Sequence, residues 1–291
     1  MPEPTANRQP PTANGPQAQR LTGWRLFLAT VIARAYPRIV GQQRETSWVF
    51  FEVALPLVSV AAYVFVYRAM KAPEQYIGFV VMGGAMTAFW LNVLWSMSSQ
   101  LYWEKETGNL ALYIMAPNSM TAVLLGMALG GMLATTLRAL VIIIVGSWLF
   151  HVNYVVSSFP ELFAVFILSM IALYGMGMMT SSLFLLLSRE AWHIVNLAQE
   201  PVYLSSGFYF PIKSFPFWIA AAASLIPLTL GLDGMRQLIF ASGATLGFLD
   251  VRLEIGLLFL LSILFLIAAQ FMLTTMERLA VREGRLTESR R

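Results

Sequence analysis

The sequence predicts an all-α integral membrane protein: six transmembrane helices, an N-terminal interfacial amphipathic helix, a structured cytosolic elbow between spans two and three, and outer re-entrant helices before span six. Three observations predict it. Of 291 residues, 58% are hydrophobic and only 12% are charged, where a soluble domain carries about 25% charged residues. Apolar runs recur along the chain, each near the roughly 20 residues that a helix needs to cross the hydrocarbon core. Arginines gather at the two ends, six before the first run and five after the last. By the positive-inside rule this places both termini in the cytosol.

The composition also excludes several classes. Cysteine is absent, so neither a disulfide framework nor a thiolate metal site is available. The two histidines, His151 and His193, lie too far apart to suggest a metal centre. The pI near 9.5 comes mostly from the terminal arginines and reads as a topology signal, not a nucleic-acid footprint.

Residues 1–19 are rich in Pro, Gln, Thr and Asn and lack the apolar core of a signal peptide. They are expected to be a disordered cytosolic tail. Residues 20–40 are apolar but broken by arginines. At 100° per residue, Trp24, Leu28, Val31, Ile32 and Ala35 share one face, with Arg20, Arg34 and Arg38 on one flank and Arg25 on the other. Such a helix lies in the membrane interface with its arginines reaching headgroups. Spans are expected at about 47–68, 76–98, 119–150, 160–187, 192–211 and 253–276, and residues 279–291 form a charged cytosolic tail. The turns at 69–75 and 151–159 hold one lysine between them, which fits the outer side. Residues 212–252 are too apolar for a free loop and too broken by proline and glycine for a full span. They read as short re-entrant helices, whose irregular backbone must be buried in protein or line a polar cavity.

The elbow, EKETGNLALYIMAP, is the most informative stretch. Leu101, Tyr102 and Trp103 sit where aromatic rings anchor to a membrane surface. The charged triplet Glu104, Lys105 and Glu106 precedes Gly108, a helix stop. Leu110 and Leu112 to Met115 follow as apolar surface, and Pro117-Asn118-Ser119 restarts a helix. A rigid protrusion with acidic and apolar groups suits docking into a partner's groove.

Ionisable residues inside spans are functional candidates by default. Here they are Glu52, Arg138 and Glu200. A Glu200–Arg138 pair would neutralise both charges, either as a structural ion pair or as a gate or substrate contact. Asp233 and Arg236 stand three apart and are placed to pair along one helix. Trp90, Trp95, Tyr203 and Phe208–Phe210 are pathway candidates, although lipid-facing and interfacial packing is the plainer reading. Gly83-Gly84, Gly126, Gly130, Gly131, Gly175 and Gly177 suit close helix packing.

Two segments then carry a family resemblance. The stretch YWEKETGNLALYIMAPNSMTAVLLGMALG has an acidic-basic-acidic triplet, Gly108, a hydrophobic run, Pro117 and a glycine-containing span. The stretch LSSGFYFPIKSFPFWIAAAASLIPLTLGLDGMRQLIF sets Ser206, Gly207, Pro211, Pro216, Pro227, Asp233 and Arg236 in a second pattern. Together, in order and over about residues 20–278, they resemble permease subunits of the ABC-2 type. The resemblance implies a half-transporter of the inner (plasma) membrane. It pairs with a second permease copy, as a homo- or heterodimer, above ATP-binding subunits that hold ATP and Mg. The permease itself would bind no cofactor or nucleic acid and would touch only membrane lipid besides these partners. The elbow would be the coupling helix, with Glu104, Lys105, Glu106, Gly108 and Pro117 as ATPase-coupling residues. The segment holding Gly207, Pro211, Pro216, Pro227, Asp233 and Arg236 would close the outer end, and residues 20–40 would match the family's gate helix. The cargo would be a hydrophobic small molecule, a lipid-linked glycan or a polysaccharide.

The sequence holds no G-x-x-x-x-G-K-[ST] phosphate loop, so ATP hydrolysis would belong to a separate chain. An ion-gradient-driven secondary transporter or channel, working through Glu52 and Glu200, is the alternative. No inverted repeat favours it, and it leaves the elbow without a purpose. A lipid-modifying membrane enzyme would call for clustered His, Asp or Ser, which are only scattered here.

Overall fold

The computed structural model describes residues 22–44, 46–116, 119–187, 191–240 and 243–282. The expected tail at 1–19, Arg20, Pro117, Asn118 and the end of the chain from residue 283 lie outside these described residues. Among the described residues twelve α-helices follow one another: α1 (Gly23–Arg44), α2 (Thr46–Ala69), α3 (Gln75–Leu91), α4 (Gln100–Glu106), α5 (Asn109–Met115), α6 (Met120–Phe150), α7 (Phe159–Leu187), α8 (Ala191–Ser205), α9 (Phe217–Ala223), α10 (Pro227–Ile239), α11 (Gly243–Leu246) and α12 (Val251–Arg282). A π-helical turn, Asn92–Met97, joins α3 to α4.

Among the described residues, five stretches are long and apolar enough to cross a membrane: Val49–Ala69, Gln75–Glu106, Met120–Phe150, Phe159–Phe184 and Val251–Met276. The count becomes six if α9 and α10, bent by 108° at their junction, act as one broken span. Two expected boundaries change. Span two does not end at residue 98: the apolar helical stretch runs on through the π-turn to Glu106, so the charged triplet is helical and continuous with it. The expected span 192–211 is helical only over the 15 residues of α8. At 1.5 Å per residue this is about 22 Å, short of a roughly 30 Å hydrocarbon core, because Gly207 turns the chain out of the helix at φ +76°.

The bundle is built around α3, most of whose residues are buried. Apolar side chains face outward on the peripheral helices, as Phe50, Leu55, Val58 and Phe65 do on α2 and Phe259, Leu264, Ile267 and Phe271 on α12. Lipid-facing leucine and phenylalanine gain nothing from helix–helix contact, so close association falls to small residues and polar pairs. Gly126 and Gly130 of α6 show this. A Cβ on Gly126 would stand 2.5 Å from the Val31 carbonyl oxygen, and one on Gly130 would stand 2.7 Å from that of Ala35. The four-residue step is the same on both helices, so α1 runs side by side and parallel with the first half of α6. Its side chains divide differently from the expectation that the arginines reach headgroups. Trp24, Leu28, Ile32 and Tyr36 do face outward, but Arg34 and Arg38 turn inward.

Where re-entrant helices were expected, α9 and α10 follow the non-helical segment 206–216 and are bent by 108° at their junction, the geometry of a broken span or of a re-entrant loop. Pro227 stands at the N-terminal end of α10, where its missing N–H costs nothing. Pro216 precedes α9, and Pro211 precedes a short 3-10 turn, Ile212–Ser214. Helix α10 is almost wholly buried, which is the condition for irregular backbone at membrane depth.

Close approach at Gly83 is tighter still, since a Cβ there would lie 1.6 Å from the Phe208 carbonyl oxygen. Gly83→Ala and Gly130→Val are therefore expected to cost about 1–3 kcal/mol or more by overpacking. The readouts are a lowered thermal midpoint in detergent and a loss of monodisperse protein. Gly41→Ala, which meets nothing within 4 Å, is the control that should not lower either.

Candidate functional site

The elbow is built by three sequence features. Helix α4 ends because Gly108 takes a left-handed conformation, φ +77°, with the Gly108 N–H donating to the Lys105 carbonyl. No neighbour crowds Gly108, so the backbone angle alone requires glycine there. Helix α5 then folds back on α4 through Leu110, which is fully buried. Ser119 occupies the N-cap position of α6 but makes no side-chain capping bond.

The charged triplet divides by direction. Glu106 is exposed, Lys105 is half-buried and Glu104 is buried. Glu104 Oε1 accepts from Arg34 Nη2 at 3.0 Å and from Gln100 Nε2 at 2.9 Å. Its Oε2 accepts from the Tyr113 hydroxyl at 3.0 Å. One carboxylate thus ties α1, α4 and α5 together, and it is not part of the outward-facing set that the sequence suggests. The Arg34 guanidinium also lies 4.5 Å over the Tyr113 ring. Burial, and then the Glu104 carboxylate, push the Tyr113 hydroxyl up to about 12, so it stays protonated and donating at neutral pH. Outward, the elbow shows Trp103, Glu106, Leu112 and Met115.

The network continues into the bundle. Arg38 donates to Gln100 Oε1 at 2.5 Å and to the Ser96 hydroxyl. Burial pulls the Arg38 guanidinium below its ordinary value, while Tyr174 and Glu104 oppose that shift. Ser96 belongs to the π-turn, whose other side chains reach further. The Asn92 side-chain oxygen accepts from the Tyr174 hydroxyl of α7 at 3.0 Å, and Trp95 Nε1 donates to Gln199 of α8 at 2.8 Å. A π-turn widens the helix and often marks a functional position. Here it is where α1, α7 and α8 all meet the central helix. Sequence reading did not pick out Arg34, Arg38, Gln100, Tyr113 or Tyr174 as one group. The visible signal was the run of polar residues Asn92, Ser96, Ser98, Ser99 and Gln100 at the end of an apolar span.

The remaining candidates are placed differently from expectation. Arg138 pairs with Glu52, not with Glu200. Helix α2 lies against α6, with Leu57 near Gly146, and this brings Glu52 to Arg138. Glu200 is exposed on α8 and accepts only a 3.5 Å contact from Gln199 among the described residues. Asp233 and Arg236 do not form the expected pair. Arg236 is drawn to the carbonyls of Gly207, Phe79 (2.7 Å) and Phe208 (2.8 Å). Asp233 instead accepts from the Phe248 N–H at 2.7 Å and from Gln237 at 3.2 Å. Unpaired carbonyls of a non-helical segment attract the guanidinium more effectively than a carboxylate that already has backbone and amide donors. Of the pathway aromatics, Trp90, Phe208 and Tyr209 are buried in the bundle, with Tyr209 stacked on Tyr63 at 3.9 Å.

A helical bundle with a folded polar elbow and a sharply bent helix pair, α9 and α10, now stands beside a family match. Residues 28–240 match the ABC-2 type transporter family over most of the chain. The chain belongs to the ABC-2 type transporter family. It is accordingly a multi-pass membrane protein of that family. Among curated proteins it is 22% identical over 135 residues to "Probable multidrug ABC transporter permease YbhR" of Escherichia coli K12, and equally to the protein of that name from Escherichia coli O157:H7. The match covers 46% of this chain and 36% of each relative, so the chain spans about a third of the length of the curated relatives it matches.

Two outcomes follow from the geometry of this ABC-2 chain. Arg138→Met alone removes the buried cation that pairs with Glu52 and should cost about 1–3 kcal/mol. Adding Glu52→Leu should recover most of that loss, as read by denaturation in detergent micelles. The second concerns alkaline pH. Because the Tyr113 hydroxyl is raised above its unfolded value of 10.0 to about 12, its contribution to elbow stability is complete below pH about 10 and is lost as pH climbs toward about 12. Tyr113→Phe should flatten that part of the stability profile, and tyrosinate absorbance reports the titration.

Proposed function

We propose that this chain is the membrane-spanning permease of an ATP-binding-cassette exporter in the inner (plasma) membrane, with both termini in the cytosol. It works as a homo- or heterodimer with a second permease copy. Separate ATP-binding subunits hold ATP and Mg and hydrolyse it beneath the elbow. The cargo is a hydrophobic small molecule, a lipid-linked glycan or a polysaccharide. The word "multidrug" in the name of the Escherichia coli relatives supports the first of these.

The observation that carries this reading is the elbow's two-sided construction. Its outer surface, with Trp103, Glu106, Leu112 and Met115, offers the aromatic, acidic and apolar groups that dock into a groove. Its inner side is fastened by Glu104 to α1 and, through Gln100 and Arg38, to the π-turn. A push on the outer face is thereby delivered to the centre of the bundle. Family membership supports the same assignment of roles. Glu104 then acts as an internal brace, and Glu106 with the exposed apolar residues makes the partner contact. At the other end, Arg236 and the segment from Gly207 to Pro227 form the outer closure.

The test is co-purification of the tagged chain with its ATP-binding subunit in mild detergent, followed by ATP hydrolysis and export assays. Glu106→Lys with Met115→Asp should abolish retention of the ATPase. Glu104→Gln should retain it but lower cargo-stimulated hydrolysis at least several-fold. Export that proceeds with no ATPase present, and that depends on pH through Glu52 or Glu200, would overturn the reading in favour of an ion-driven carrier.

A further inference from the structure

A cavity of about 580 Å³ opens at the end of the bundle remote from the elbow. It takes no part in the reading above. The stretch Gln75–Glu106 holds 32 residues, about 48 Å at 1.5 Å per residue. That matches a bilayer with both headgroup layers, about 40–45 Å. The cavity mouth, at the Gln75 end, therefore lies at the headgroup layer opposite the elbow.

Its lining is cationic. Arg68 and Lys71 come from the end of α2 and its turn, His151 and Asn153 from the chain after α6, and Glu74 is the carboxylate among the lining residues. Among the described residues neither Arg68 nor Lys71 makes an ion pair. The Arg68 guanidinium lies 6.0 Å over the Phe150 ring, which with Phe240 forms an apolar wall. The walls are anchored. The Lys71 N–H donates to the Arg68 carbonyl and the Ala72 N–H to the Tyr67 carbonyl, closing α2. The Val155 and Ser157 N–H groups donate to the carbonyls of Ile239 and Leu238, tying the loop after α6 to the end of α10.

Lys71 (φ +53°) and His151 (φ +58°) are the two non-glycine residues with positive φ among the described residues, and both line this one cavity. Each sits just past a helix end, where glycine is the low-strain choice. A cationic side chain and an imidazole stand there instead, on two segments distant in sequence.

We propose that this cavity binds a phosphate-bearing anion at the far headgroup layer. Arg68 offers a planar fork of donors to two phosphate oxygens and Lys71 a compact charge, with the Asn153 amide as a neutral donor. Cavities of this size accept headgroup-sized ligands. The phosphate arrives on an anionic lipid or as a soluble phosphate ester, and in either case the bound anion braces α2, α6 and the end of α10 together. The proposal does not depend on the partner ATPase.

The test uses the full purified chain in detergent. Native mass spectrometry and thermal shift compare phosphatidylglycerol, phosphatidylcholine of the same acyl chains, and glycerol 1-phosphate. Phosphatidylglycerol should bind in preference to phosphatidylcholine. Arg68→Gln with Lys71→Gln should weaken it at least tenfold, and Glu74→Gln should strengthen it. Arg25→Gln with Arg44→Gln, on α1, should leave the difference intact. Lys71→Gly keeps the backbone conformation. It should raise the ligand-free midpoint while weakening binding, which separates lost binding from lost folding. Competition by glycerol 1-phosphate assigns the site to soluble esters as well, and its failure assigns it to lipid headgroups. Equal retention of the two lipids, or unchanged phosphatidylglycerol binding in the Arg68/Lys71 variant, would overturn the proposal.

Discussion

Hydrocarbon offers no hydrogen bonds, so every backbone polar group that leaves a helix inside the bundle must find its partner in the protein. The segment after α8 is where this constraint is sharpest. Its consecutive carbonyls at Gly207, Phe208 and Tyr209 are met by Arg236, again by Arg236, and by the Tyr67 hydroxyl at 2.9 Å. Arg236 is buried and also reaches the Phe79 carbonyl of the central helix. Its approach is possible because Gly83 presents no Cβ to the Phe208 carbonyl. The position of α10 against the central helix follows from this one arrangement. Remove the guanidinium and several buried carbonyls lose their donor at once, a penalty of about 1–3 kcal/mol for each unsatisfied group.

The same economy of polar groups governs the elbow end. A chain of side-chain contacts runs from Tyr113 and Arg34 through Glu104, Gln100 and Arg38 to Ser96. It joins a surface helix to the centre of the bundle without crossing lipid. Partly buried charge-assisted bonds are stronger than neutral ones, and members of such a network act together. The elbow, the first half of α6 and α1 therefore form one body. That body meets α7 and α8 at the π-turn and the start of α4, through Tyr174 on Asn92, Ser98 with Thr180, the Leu101 N–H on Ser181, and Trp95 on Gln199.

Much of the architecture was legible in the sequence because it depends on local quantities. Apolar run length marked the crossing helices, and Gly108 marked the end of α4 because its backbone angle excludes other residues. The prolines and glycines of residues 212–252 marked a stretch of short helices in place of a full span. The family resemblance, carried by the elbow and by the segment from Ser206 to Arg236, agrees with the match over residues 28–240. What the sequence itself determined, then, was the class of molecule, the order of its elements and the two segments that matter. Each of these is set by residue type over a short window.

Pairing was decided only by the tertiary structure. Glu52, Glu200 and Arg138 lie far apart in sequence, and hydropathy ranks both carboxylates as equal partners for the arginine. The packing of α2 on α6 selects Glu52, while α8 turns Glu200 outward. Asp233 and Arg236 have the spacing of an intrahelical pair, yet each is claimed by backbone groups from elsewhere in the chain. Glu104 and Glu106 are two residues apart and alike in chemistry, yet one is buried under Arg34 and the other faces out. The reason is common to all three. An ionisable side chain in a membrane bundle goes to the strongest set of complementary polar groups within reach. That reach is fixed by helices brought together through glycines and side chains from distant parts of the chain.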